Sequence, residues 1–211
     1  MLQDLPRSGF ALPSKEMRII AGTYRSRLLA APRGMDTRPT SDRLRETLFN
    51  VIAPDVGESR FVDLYAGSGA VGLEALSRGA AQVWFAEKAA PALAAIRANL
   101  KSLGIRSGFA VEEHGALPLL KRLAARGEAV QIIFLDPPYE AEREYSAVLE
   151  FLGGEGAQSG LVTAQTLVIA EHRRRGSLAA QYGALQRRRV LEQGDAALSF
   201  YRVPPQQGAA E

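Results

Sequence analysis

The chain has 211 residues, 46% hydrophobic and 23% charged, with a formal net charge of +3 and no cysteine. Such a composition fits a globular protein with one good core, and it excludes disulfides and thiolate zinc sites. No apolar run approaches the roughly 18 residues that span a bilayer, and the mild positive charge permits a nucleic-acid partner without requiring one.

Residues 1–16 carry mixed charge and no sustained period, so they read as a disordered tail. They lack the apolar stretch of a secretion signal, which makes the cytoplasm the expected compartment. Residues 17–32 hold two short apolar runs around Gly22, the pattern of a small β-hairpin. A loop follows at 33–40. Residues 41–52 have apolar side chains at 44, 48, 51 and 52, which is helical spacing, with Ser41 as the expected N-cap. Arg18, Arg25, Arg27, Arg33, Arg38, Arg43 and Arg45 crowd this one stretch. The planar fork of arginine suits phosphate; the plainer explanation is a composition biased toward Arg, Ala and Gly.

From residue 60 strands and helices alternate. Strands are expected at 60–65, 82–87, 107–113, 129–136 and 165–172. Helices are expected at 70–79, 91–104, 116–127 and 142–154. Residues 184–192 and 196–203 then form a closing antiparallel pair, and 204–211 is a second disordered tail. The βαβα order predicts an α/β fold with a mostly parallel seven-stranded sheet and helices on both faces. The boundaries expected are an N-terminal extension over 17–53 and a main domain over 54–203. The two histidines, His114 and His172, are far apart and show no metal-ligand spacing, so no metal is expected.

Two segments carry chemistry. The first begins at Asp63 and holds Gly67, Gly69 and Gly72, a GxGxxG between a strand and a helix. Glycine allows a sharp turn and close approach to a ligand. Glu87 ends the next strand, where an acid would meet two ribose hydroxyls. By themselves these features would also fit a nicotinamide dinucleotide or an ordinary tight turn. Asp63 shifts the choice, because a second negative charge is unhelpful beside a pyrophosphate. It suits the cationic methionine end of S-adenosylmethionine.

The second segment is Asp136-Pro137-Pro138-Tyr139. Consecutive prolines end a buried strand abruptly and stiffen the turn after it. That turn falls at the carboxyl end of the fourth predicted strand, facing the crevice of a doubly wound sheet. An exocyclic amine on a base is a poor nucleophile because its lone pair is delocalised into the ring. The Asp136 carboxylate and the Pro137 carbonyl could accept its two hydrogens and favour a pyramidal nitrogen, while Tyr139 offers a face for stacking.

Together, the segments MRIIAGTYRSRLL, TRPTSDRLRETLFN, VDLYAGSGAVGLEALSRGA, Glu87-Lys88, IIFLDPPY and the late EH and LSFY resemble the RsmD family. These are bacterial 16S ribosomal RNA guanine-N2 methyltransferases. The resemblance runs from about Met17 to Tyr201, and TRPTSDRLRETLFN is its most specific part. It implies a Rossmann-like class I methyltransferase fold with an N-terminal hairpin that helps hold RNA. S-adenosylmethionine is the implied cofactor, and 16S rRNA in the small subunit or an assembly intermediate is the implied substrate of a monomeric enzyme. Cofactor roles would fall on Asp63, Tyr65, Ala66, Gly67, Ser68, Gly69, Glu87, Lys88, Gly115 and Ala116. RNA contacts would fall on Arg18, Arg25, Arg27, Arg38, Thr40 and Arg43, and catalysis on Asp136, Pro137, Pro138 and Tyr139.

The chain departs from the family at one point. Relatives usually carry Gly-Asp-Ala after the third strand, with the Asp on the cofactor adenine. Here His114-Gly115-Ala116 stands there, so either His114 or backbone amides make that contact, or affinity is lower. The competing functions are an adenine-N6 methyltransferase on DNA or RNA, a nicotinamide-dependent oxidoreductase, and an RNA-binding assembly factor with weak catalysis.

Overall fold

A computed structural model describes residues 17–32, 42–138, 141–176 and 178–205. The elements run α1 (Asp42–Val51), α2 (Ala53–Val56), β1 (Arg60–Leu64), α3 (Ala70–Ser77), β2 (Gln82–Ala86) and α4 (Ala90–Ser102). They continue with β3 (Phe109–Glu112), α5 (Ala116–Ala125), β4 (Ile132–Leu135), α6 (Glu142–Gly153), α7 (Glu155–Gln158), β5 (Leu167–Arg173), β6 (Gln181–Tyr182), β7 (Leu185–Gln193) and β8 (Ala196–Arg202). The expected tail at 1–16, the loop at 33–40 with Ser41, and residues 206–211 lie outside the described residues.

All strands join one sheet in the order β3-β2-β1-β4-β5-β8-β7-β6. The sheet has eight strands rather than the expected seven. The extra one, β6, is two residues paired antiparallel to β7, too short to leave an alternating pattern in the sequence. Strands β1 to β5 pair in parallel, and β8 enters antiparallel between β5 and β7. The fold is that of a Rossmann-like class I methyltransferase.

Side-chain alternation on the strands feeds two cores. Phe61, Phe85, Phe134 and Ile169 meet α1, α3, α4 and the N-terminal segment on one face. Val62, Leu64, Ile133, Leu135 and Val168 meet α5 and α6 on the other. Burial on both faces is why these strands read as nearly continuous apolar runs.

The register fixes where the site lies. Leu64 is level with Ala86 and Leu135, and Leu135 with Ala170. The loops after β1, β2, β4 and β5 therefore leave the sheet at one edge. Strand order reverses between β1 and β4, and that reversal opens the crevice of a doubly wound sheet.

The N-terminal hairpin is narrow. Arg18 and Leu28 form a single antiparallel bridge, extended by Ile19 N–H to the Arg27 carbonyl and Leu29 N–H to the Met17 carbonyl. Two strands this short are marginal alone. Met17, Ile19 and Leu29 supply anchorage by entering the main core. So do side chains of the domain that satisfy the hairpin's outward backbone groups. Glu74 accepts from Ile20 N–H at 2.7 Å and from Ala21 N–H at 3.0 Å. Ser77 Oγ accepts from Tyr24 N–H at 3.0 Å, and Asn99 Oδ1 from Ala30 N–H at 2.7 Å. Gly22, at φ +85°, lies so close to α3 that a Cβ there would sit 1.9 Å from the Ser77 carbonyl oxygen.

Candidate active site

A cleft of about 1860 Å³ opens at the strand edge. Asp63, Tyr65, Ala66, Gly67, Ser68, Glu87, Lys88, Gly115 and Ala116 line it, with Asp136, Pro137 and Pro138. Gly69 stands behind the loop, packed on Ile96 and Phe85. The structure thus brings both chemical segments into one space. Tyr139, Arg38 and Thr40 lie outside the described residues.

The loop after β1 starts with strain. Tyr65 is a non-glycine residue at φ +65°, and Gly67 and Gly69 are left-handed at +55° and +79°. Gly67 has no neighbour within 4 Å of where a Cβ would stand, so its backbone is bare toward the cleft. Asn99 holds the loop from behind: its amide donates to Ser68 O at 3.0 Å and to Ala30 O at 3.1 Å. A single buried side chain therefore ties the glycine loop to the hairpin.

Two acids flank the loop. Asp63 is buried, and its Oδ2 accepts from Gly72 N–H at 2.9 Å in the first turn of α3. Burial pushes its carboxyl up to about 7; the Gly72 hydrogen bond opposes this and the charge of Glu87 adds to it. Glu87 reaches across the loop. Its Oε2 accepts from Gly67 N–H at 2.9 Å, and its Oε1 from Lys88 and Ala89 N–H at 2.7 and 2.9 Å. Among the described residues no cationic side chain pairs with Asp63. A cation entering the cleft would supply the missing charge, so these acids fit the amino group and ribose of S-adenosylmethionine.

That fit makes a pH-dependent expectation. Folded Asp63 holds its proton up to about pH 7, against an ordinary value of 3.8. Its contribution to ligand-free stability is fully present below the lower value and is lost as pH rises through the upper one. The Asp63→Asn protein cannot ionise there. It should therefore gain in melting temperature on the wild type between pH 5 and 8. Wild-type affinity for S-adenosylmethionine should rise through the same window, and Asp63→Ala should bind on the order of 10-fold more weakly. Thermal melts and calorimetry across that range check both; parallel pH profiles for the Asn variant and wild type would contradict the assignment.

At the end of β3, Gly115 takes φ +92°, and a Cβ there would lie 2.3 Å from Lys88 Cε. A side chain at 115 would have to displace Lys88. His114 does not line the cleft; its Nδ1 is 2.6 Å from Glu112 Oε1. Glu112 is buried and also ion-paired to Arg122. Burial would raise its carboxyl, but hydrogen bonds from His114 and Arg122 outweigh that and hold it low. Of the options open at this position, backbone groups of Gly115 and Ala116 are the ones that face the cleft.

The segment after β4 is braced by a residue the sequence did not single out. The Tyr145 hydroxyl on α6 lies 3.2 Å from the Pro137 carbonyl and 2.7 Å from the Glu171 carbonyl at the end of β5. One hydroxyl hydrogen serves both acceptors, and Pro137 O keeps a lone pair. Glu144, one residue earlier, hydrogen-bonds Tyr65 and sits 3.8 Å from Lys88 Nζ. Burial first, then the Glu144 hydrogen bond and charge, push the Tyr65 hydroxyl well above its usual range. Tyr145 and Glu144 lie on an amphipathic helix and look like ordinary helix residues until the tertiary fold places them.

The arginine cluster divides. Arg18, Arg25, Arg27 and Arg43 are exposed, with Arg27 Nη2 donating to Ser102 O at 3.0 Å and Arg43 lining the cleft. Arg45 is fully buried. It bonds Asp42 at 3.0 Å and the Arg18 carbonyl, and lies 3.9 Å from Glu74, so it joins α1 to the hairpin and α3.

The comparisons agree with this geometry. A family model described as "Conserved hypothetical protein 95" matches residues 17–202. "Putative rRNA methyltransferase YlbH" of Bacillus subtilis is 34% identical over 186 residues, 88% of this chain and 98% of that protein. "Ribosomal RNA small subunit methyltransferase D" of Escherichia coli K12 is 40% identical over 126 residues, 60% of this chain and 62% of that one. The solved structure "Putative methyltransferase yhhF from Escherichia coli" superposes with a TM-score of 0.72 at 31% identity, covering 90% of this chain and 99% of that chain. With a family model matched over nearly its whole length, and the glycine loop and Asp136-Pro137-Pro138 turn facing one cleft, the chain belongs to the RsmD family.

Proposed function

We propose that the protein transfers a methyl group from S-adenosylmethionine to the exocyclic N2 amine of a guanine in 16S rRNA. The substrate is the small subunit or one of its assembly intermediates, met in the cytoplasm by a monomeric enzyme. The observation that carries this reading is that Asp136 and the braced Pro137 share one cleft with Asp63, the glycine loop and Glu87. The named activities of the two relatives, both rRNA methyltransferases, support it.

When bound, S-adenosylmethionine supplies an electrophilic methyl on a sulfonium. Asp63 and Glu87 bind and orient its two ends, and Gly67, Gly115 and Ala116 let it lie against backbone. The residues after β4 act on the amine. Asp136 accepts one N–H, the free lone pair of Pro137 O accepts the other, and both contacts strengthen as the nitrogen becomes pyramidal. Tyr139 is the proposed stacking face. The methylated nitrogen then sheds its proton to water, so no base is required. Arg18, Arg25, Arg27 and Arg43, with Arg38 and Thr40, are proposed to hold RNA.

Undermethylated small subunits incubated with protein and radiolabelled cofactor, followed by nucleoside mass spectrometry, test the proposal. N2-methylguanosine is expected. N6-methyladenosine would point to the adenine-directed alternative. Tight RNA binding without methyl transfer would point to an assembly factor.

A further inference from the structure

A second arginine-rich element, separate in sequence from the N-terminal cluster, lines the same cleft. Strand β5 ends at Arg173 and turns through Arg174 and Arg175. All three side chains are exposed, and all three residues line the cleft that holds Asp63 and Asp136. The turn is built rather than loose. Arg174 N–H donates to the Asp195 carbonyl at 2.8 Å, which carries the β5–β8 pairing one residue past the strand, and Gly176 N–H closes back on Arg173 O at 2.9 Å.

Charge says which occupant this turn serves. The floor of the cleft is acidic, with Asp63, Glu87, Asp136 and Glu171, and suits a cationic cofactor. That cofactor carries a net positive charge whereas RNA is a polyanion, so the counterpart of an arginine pair is the other reactant. Glu192 and Asp195 also line this cleft and moderate the charge of the pair. Arg174 Nε lies 2.7 Å from Glu192 Oε2 in an exposed pair, which leaves its remaining guanidinium donors for an anion. A planar fork matches phosphate oxygens, and Arg43 lines the same cleft.

We propose that Arg174 and Arg175 grip the phosphodiester backbone of the substrate RNA beside the target nucleotide, at the cleft that Arg43 also lines. The inference rests on the RNA-methylation reading for the identity of the polyanion. It goes beyond that reading by assigning a second RNA contact at the β5 turn.

The test compares Arg174→Ser/Arg175→Ser with Arg188→Ser/Arg189→Ser. The second pair removes the same charge from β7, where both residues are exposed and neither lines the cleft. Methylation of small subunits is followed against salt, with S-adenosylmethionine affinity by calorimetry and filter binding of 16S rRNA without cofactor. The turn variant should raise KM for RNA about 10-fold. It should flatten the slope of log affinity against log salt by about 0.7–0.9 per lost phosphate contact. The saturated single-turnover rate and cofactor affinity should be unchanged, and the β7 control should lose much less. Wild-type KM and salt slope in the turn variant, or equal losses in both pairs, would overturn the inference. If the wild type methylates no RNA, the functional reading fails instead. Filter binding still decides the turn: a loss confined to Arg174→Ser/Arg175→Ser supports it, and no loss or an equal loss overturns it.

Discussion

Asp136→Ala should lower the single-turnover rate of methyl transfer by roughly 10²–10³-fold, the range for losing one hydrogen-bond partner that acts in the transition state. Cofactor affinity should hold, because that binding is assigned by the proposal to Asp63 and Glu87. The loss belongs in the rate because the carboxylate contact strengthens only as the amine leaves the plane of the ring. Asp136→Asn keeps an acceptor without charge and should lose less. Asp136 is half-buried at the end of a strand, so neither change should unfold the protein. A single-turnover assay with saturating cofactor, run alongside thermal melts, separates rate from stability. Full activity in Asp136→Ala would remove the mechanism.

The largest structural effect is expected from Glu74→Ala. Glu74 lies in the middle of α3 with no exposed surface. Its carboxylate accepts from two hairpin N–H groups and from Arg78 Nε at 2.7 Å, and it lies 3.9 Å from the buried Arg45. Its removal leaves two hairpin N–H groups without their acceptor and takes one of two nearby carboxylates from the buried Arg45, which Asp42 still pairs; breaking such a buried cluster costs about 3–5 kcal/mol. In a domain of this size each kcal/mol is worth about 2–4 °C in Tm, so melting should fall on the order of 10 °C. Glu74→Gln keeps acceptor geometry and should lose less. Calorimetric melts check the pair; a change under about 2 °C in the Ala variant would show that the hairpin docks through its apolar residues and the Ser77 and Asn99 hydrogen bonds, without need of Glu74.

The parallel sheet and its site were legible because each strand end carries its own punctuation: Asp63 before the glycines, Glu87 after β2, and two prolines after β4. These signals are local. The residues that brace the site are not. Tyr145 and Asn99 act between separate elements, and nothing near either announces its partner. Their one available signal was polarity on an apolar helix face, since Asn99 follows Ala92, Ala95 and Ile96 at buried spacing. Glu74 gave a stronger hint, as the one charged residue in a mostly apolar α3. The arginine stretch misled in one place: Arg45 looks like its neighbours in sequence but faces the core. Strand β6 escaped because two residues cannot display a period.

The long reach of the hairpin's contacts governs how the molecule is made. Ile20 meets Glu74 across 54 residues, and Ala30 meets Asn99 across 69. During synthesis residues 17–30 emerge before their docking partners, which leave the ribosome only as β1, α3 and then α4 are added. Contacts this distant carry a loop-closure cost before they repay it, so the hairpin should order late, on a surface that already includes the glycine-loop helix. A peptide covering residues 17–32 alone should therefore stay unstructured in solution. The same basic segment takes its shape only on a chain whose glycine-loop end has already folded.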